Sequence, residues 1–124
     1  MARYSGPEDV DEKLFQDSMG EEYHEKAQAY LDIILRDATI NPTELTKKYD
    51  VLKEVSIMKA KEFFLDSIAS QNPAIVDQLE RIRRDRISME TRFLKGVLDR
   101  IQRDVGNDDS TNAIYVQTGR IYRA

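Results

Sequence analysis

Two Asn-Pro pairs constrain this chain more than any other feature. Asn41-Pro42 and Asn72-Pro73 each precede a long segment whose apolar residues recur at three- and four-residue steps. Asn is a favoured N-cap, and Pro suits the first helical position because no intrahelical partner awaits its missing N–H. Glu44 completes a capping-box pattern after the first pair. The spacing predicts one helix from Pro42 to about Ser70, striped by Leu45, Tyr49, Leu52, Val55, Phe63, Phe64 and Ile68. Ile57, Met58 and Leu65 widen that stripe, so the helix should touch more than one neighbour. The second pair predicts a helix from Pro73 to about Val105. Its stripe has two phases: Ile75, Leu79, Ile82, Met89 and Phe93, then Ile87, Leu94, Leu98, Ile101 and Val105, offset by about one residue. At about 1.5 Å per residue such a helix approaches 50 Å, which is long for a compact domain of this mass.

Upstream, Tyr23, Ala27, Tyr30, Leu31 and Ile34 predict a helix over Glu21 to Ala38. Pro7 to Ser18 predicts a shorter one, with Val10, Leu14 and Phe15 on one side and Gly20 as its stop. Residues 1–6 read as disordered. Gly106 to Asp109 should stop the last helix and form a polar hinge.

The final fifteen residues, Ser110 to Ala124, break the helical period. Ile114 and Val116 alternate with Tyr115, and Ile121 and Tyr122 follow Thr118-Gly119. This is a strand period, yet a lone hairpin is marginal in water. Strands contributed by several copies would complete a sheet together. The expected architecture is therefore mainly α: an antiparallel helical hairpin with a short C-terminal β-strand or hairpin, assembling into a homo-oligomer. Residues 1–20 form an acidic N-terminal arm, 21–105 a helical oligomerisation core, and 106–124 the hinge and β segment. Candidate oligomerisation residues are Phe63, Phe64, Phe93, Leu94, Leu98, Ile101, Ile114, Val116 and Ile121.

Charge is unevenly spread. The chain carries −4 overall, but residues 1–22 hold seven acids against two cations, and residues 73–105 hold eight cations against six acids. A protein that binds nucleic acid over its whole surface should be basic overall, and this one is not. Cysteine is absent, which fits a reducing compartment. No apolar run of about 18 residues suggests a membrane span, and the N-terminus has no apolar core of a secretory signal. The expected setting is a cytoplasm, without membrane partners.

Catalysis finds little support. His24 is the one histidine, and with no cysteine it has no evident nucleophile–base partner. It reads as a surface or partly buried helix residue. No phosphate loop, zinc motif or EF-hand loop occurs, so neither a metal nor a cofactor is expected. Arg81, Arg83, Arg84 and Arg86 are the candidates for phosphate contact, because guanidinium groups bind phosphate in pairs of hydrogen bonds. Asp77, Glu80, Asp85 and Glu90 stand within helical pairing distance, so ion pairing within or between subunits is the stronger reading. No aromatic residues interleave the cluster to stack on bases.

Two stretches resemble the small terminase subunits of tailed bacteriophages, in particular the T4-like branch: AQAYLDIILRDATINPTELTKKYDVLKEVSIMKAKEFFLDSI and TNAIYVQTG. Together they cover roughly half of the chain. The long arginine-rich segment from Pro73 to Val105 and the lack of a preceding helix-turn-helix depart from that pattern. The resemblance implies a non-catalytic homo-oligomeric ring in the host cytoplasm. Such a ring would engage double-stranded viral DNA, pass it to the large terminase subunit and regulate that motor, with tail strands closing a small barrel around the axis. The alternatives are a phage structural component such as a head–tail adaptor, or another helical homo-oligomeric interaction protein without DNA recognition.

Overall fold

In the computed structural model, which describes residues 2–45 and 47–108, the chain is mainly helical, with no strand among those residues. The helices are α1 (Lys13–Ser18), α2 (Glu21–Asp37), α3 (Asp50–Ile68), α4 (Pro73–Met89) and α5 (Lys95–Asp108). A π-helical segment, Glu90–Leu94, joins α4 to α5 without a break. Short 3-10 turns cover Pro7–Asp9, Pro42–Glu44 and Ala69–Gln71.

Helix α3 lies between α2 and the α4–α5 run and packs on both. Two apolar clusters fix the directions. The first joins Leu31 and Leu35 late in α2, Leu52 and Val55 early in α3, and Leu94, Val97 and Ile101. The second joins Ala27 of α2, Phe64 and Leu65 late in α3, and Leu79 of α4. Each neighbour therefore runs antiparallel to α3. The expected hairpin is present as α3 with α4–α5, but α2 adds a third layer. This explains the wide stripe of α3: two faces are covered within the same chain.

The two Asn-Pro pairs behave differently. Asn72 caps α4, its side chain accepting from the Ala74 N–H at 2.9 Å. Asn41 likewise accepts from the Thr43 N–H at 3.1 Å, but the turn it opens ends at Glu44, and α3 begins only at Asp50. Helix α2 ends in a Schellman arrangement. Thr39 sits at φ 60 while the Ile40 N–H reaches the Leu35 carbonyl at 2.9 Å. A β-branched residue is strained there, and buried Ile40 offsets the strain by closing the first cluster.

The π segment accounts for the two-phase stripe. Leu79 and Arg86 face inward seven residues apart, and so do Leu94 and Ile101, yet eight residues separate Arg86 from Leu94. A π turn accommodates the extra residue. The phase change falls at Glu90–Leu94. It turns Phe93 outward, half exposed, and brings Leu94 and Val97 inward. Helix α5 continues through Asp108, so the stop expected at Gly106 does not occur.

The N-terminal segment is not an arm. Residues expected to be disordered carry Tyr4 and Ser5 into the interior, and Val10, Phe15 and Met19 are almost fully buried. Phe15 meets Phe64 edge-on at 5.9 Å. Leu14, expected beside Val10 and Phe15, faces solvent. Among the described residues no helix is long and apolar enough to cross a membrane.

Candidate functional site

The four arginines singled out in the sequence do not form one cluster. Arg86 is buried and clasps Glu62 of α3 with Nε and Nη2, the latter at 3.3 Å. Its Nη1 donates to Glu90 at 2.6 Å and to the Tyr30 hydroxyl at 2.9 Å. The Tyr30 hydroxyl in turn donates to Glu90 at 2.8 Å. Burial alone would lower the Arg86 pKa, but the hydrogen bonds it donates to Glu62 and Glu90 outweigh it and raise the value. Burial, then the Glu90 hydrogen bond, pushes Tyr30 up to about 12. Lys59 completes the knot over the Tyr30 ring, at 4.7 Å, and burial pulls its pKa down. Arg83 pairs with Glu80 at 2.6 Å and approaches Glu62 at 3.5 Å. Arg83 and Arg86 are thus ion-paired within the chain. The decisive partner of Arg86, Glu62, is 24 residues away, and only Glu90 was legible as a helical neighbour.

Arg81 and Arg84 are exposed. They continue into a longer set that the sequence did not single out: Arg92, Lys95, Arg100 and Arg103 are exposed as well. At about 100° per residue, and with one residue absorbed by the π segment, these six cations fall on the solvent side of the 73–108 run. Arg100 also lies over the Tyr49 ring at 5.3 Å. Asp77, Glu80, Asp85 and Asp99 are exposed on the same run, so the face is basic by a modest excess.

The candidate oligomerisation residues divide. Phe64, Leu94 and Ile101 are core residues of this chain, buried against its own helices. Leu98 is partly buried against the first cluster. Phe63 is partly covered, with Lys59 over its ring at 5.0 Å. Phe93 alone of these is half exposed. Ile114, Val116 and Ile121, with the strand they were expected to form, lie outside the described residues.

His24 occupies a place that the sequence reading missed. It is fully buried, and its Nδ1 lies 2.8 Å from Ser5 Oγ, which lies 2.7 Å from Ser56 Oγ. Its Nε2 has no hydrogen-bond partner among the described residues. Desolvation lowers its pKa, opposed by Glu21, Asp9 and Glu8. The imidazole is thus a structural tie between the N-terminal segment, α2 and α3. Ser5 and Ser56 lie 19 and 32 residues from it, too far for any local pattern to announce them.

No protein-family model, curated protein or solved structure matches this chain.

Proposed function

We propose that this protein is a non-catalytic DNA-associated component that meets the phosphate backbone with the exposed basic face of the 73–108 helical run. The observation that carries this reading is the set Arg81, Arg84, Arg92, Lys95, Arg100 and Arg103, each exposed, along one continuous helix. From Arg81 to Arg103 the rise is about 33 Å, close to one turn of B-DNA at about 34 Å. Binding of this kind is to backbone, indifferent to sequence, and steeply dependent on salt. Arg86 takes no part, because Glu62 and Glu90 hold it inside the fold.

The likeness to small terminase subunits supports a larger setting for the same surface. In that setting several copies form a ring with the C-terminal segment contributing to closure, and the ring presents viral DNA to the large terminase subunit. A second reading, an adaptor without DNA recognition, draws support from Asp77, Asp85 and Asp99 on the same run and from half-exposed Val76 and Ile87 eleven residues apart on one face.

Fluorescence anisotropy with a duplex probe separates the readings. DNA binding should weaken about a hundredfold between 50 and 200 mM salt if about four phosphates are neutralised. The triple variant Arg84→Ala, Arg92→Ala, Arg103→Ala should flatten the log–log salt slope by about three. An absence of binding at 50 mM salt, or an unchanged slope in the variant, would favour the adaptor. Mass photometry of the full chain and of a form lacking residues 110–124 tests the ring: the first should be a many-subunit particle, the second should not.

A further inference from the structure

A cleft of about 220 Å³ opens where residues 3–4, Leu45 with 47–49, and the first turn of α3 meet. Among the described residues its lining contains four cations, Arg3, Lys47, Lys48 and Lys53, and no acid. The remaining walls are Leu45 and the narrow exposed edges of three otherwise buried side chains, Tyr4, Tyr49 and Leu52. Both rings are fixed from behind. The Tyr4 hydroxyl donates to Asp32 at 2.5 Å and the Tyr49 hydroxyl to Asp104 at 2.7 Å. The carboxylates that pair with three of the cations also stand outside the lining: Asp32 with Arg3 at 2.9 Å, Asp104 with Lys47 at 3.4 Å, and Asp9 with Lys53 at 3.5 Å. These acids orient the cations without entering the cleft. Lys48 is exposed and has no ion-pair partner among the described residues. The cleft also adjoins the amino end of α3, where Tyr49 makes no side-chain cap; the first N–H groups there add positive potential, partly offset by exposed Asp50 in the same turn.

The combination selects for ligand chemistry. A bare anion would use the lysines but waste the apolar walls; an uncharged aromatic would use the walls but leave Lys48, the one cation here without a carboxylate partner among the described residues, unanswered. We propose that this cleft binds a nucleoside 5′-monophosphate group, phosphate toward Lys47, Lys48 and Lys53 and the flat base against Tyr4, Tyr49 and Leu52. Ammonium groups and helix amino ends suit phosphate, and aromatic faces suit any base. The group can be a free mononucleotide or the 5′-phosphorylated end of a single strand. The site is separate from the basic face of the 73–108 run and does not depend on it, although Arg100 at the Tyr49 ring brings the two close.

Backbone amide chemical-shift titrations of the full chain test this with five probes: dTMP, thymidine, inorganic phosphate, and a four-nucleotide thymidine strand with or without a 5′-phosphate. Binding of dTMP should move the amides of residues 3–4 and 47–53, with affinity at least tenfold above thymidine and above phosphate. If the 5′-phosphorylated strand binds more tightly than dTMP, the strand end is the source; if the reverse holds, the free nucleotide is. Lys48→Glu, at an exposed position, should weaken dTMP about tenfold while leaving the thermal melt unchanged. Phosphate binding as well as dTMP, thymidine binding as well as dTMP, or an unchanged affinity in Lys48→Glu would each overturn the proposal. The Arg84, Arg92, Arg103 triple variant should leave dTMP affinity intact, so failure of the basic face and failure of the cleft are told apart.

Discussion

Two buried polar knots stand out among the described residues, and they are built on opposite principles. The knot around Arg86 is ionic, spans α2, α3 and the α4–π junction, and uses nearly every donor and acceptor: Glu62, Glu90, Tyr30 and Lys59 all face it. The knot around His24 is neutral, joins the N-terminal segment to α2 and α3, and leaves Nε2 unpaired. Along the α4–α5 run, Arg86 and Glu90 fall between Leu79 of one apolar cluster and Leu94 of the other. Each knot fixes which elements meet, but at different risk. A satisfied ion pair fails when one partner is removed. A neutral imidazole in a dry site fails when it gains a proton.

The largest effect should come from breaking the ionic knot. Arg86→Ala leaves Glu62, buried at 4% side-chain exposure, with only Arg83 and Lys59 at 3.5 and 3.8 Å. Loss of one partner of a buried pair costs about 3–5 kcal/mol, and those two neighbours should hold the loss near the lower figure. Urea denaturation measures it. Arg84→Ala, at an exposed position on the same helix, should stay within about 0.5 kcal/mol. Equal losses in the two variants would mean that the buried pair is not a structural tie.

The neutral knot should show itself in pH rather than in a single midpoint. Desolvation sets the folded pKa of His24 below its ordinary value of 6.5, while the unfolded chain keeps that value. Between the two, the unfolded state binds more protons, so stability rises with pH. The contribution is complete above about pH 6.5, declines as pH falls below that value, and levels off beneath the folded pKa. Glu21, Asp9 and Glu8 favour the imidazolium and moderate the decline. The slope is limited to about 1.4 kcal/mol per pH unit for one proton, so the loss between pH 7 and pH 5 is at most about 2 kcal/mol. His24→Asn should flatten that slope in urea midpoints across the same range. A wild-type profile as flat as the variant's would show that His24 does not charge on unfolding.

How these knots were hidden explains what the sequence could and could not disclose. Helices were legible because the apolar period is local: α2 lies within one residue of its expected bounds, and Asn72-Pro73 opens α4 where a cap and a first-turn Pro agree. Asn41-Pro42 gave the same local signal but opened only a 3-10 turn, since a cap specifies a start and not a length. The one-residue offset in the third stripe was visible, and its cause, the π segment, was not. Partner choice was the least legible. Helical spacing pointed Arg86 at Glu90, whereas Glu62 comes from another helix and His24 reaches serines on two other elements. The apolar surplus of α3 was assigned to a second copy because the sequence does not say that α2 and the N-terminal segment fold back over it.

The smallest expected effect sharpens the comparison from inside the ionic knot. Tyr30 is its one neutral link: the hydroxyl accepts from Arg86 and donates to Glu90, so its removal should subtract hydrogen bonds without stranding a charge. Arg86 keeps both carboxylates, and Glu90 keeps Arg86 at 2.6 Å. Tyr30→Phe should therefore cost about 1 kcal/mol in urea denaturation, well under the Arg86→Ala loss. The same variant should remove the tyrosinate absorbance step that Tyr30 contributes at about pH 12, where burial and Glu90 hold its proton. If Tyr30→Phe instead cost as much as Arg86→Ala, the knot would be governed by its hydrogen-bond chain rather than by its buried charges, and the distinction from the Ser5–His24–Ser56 tie would collapse.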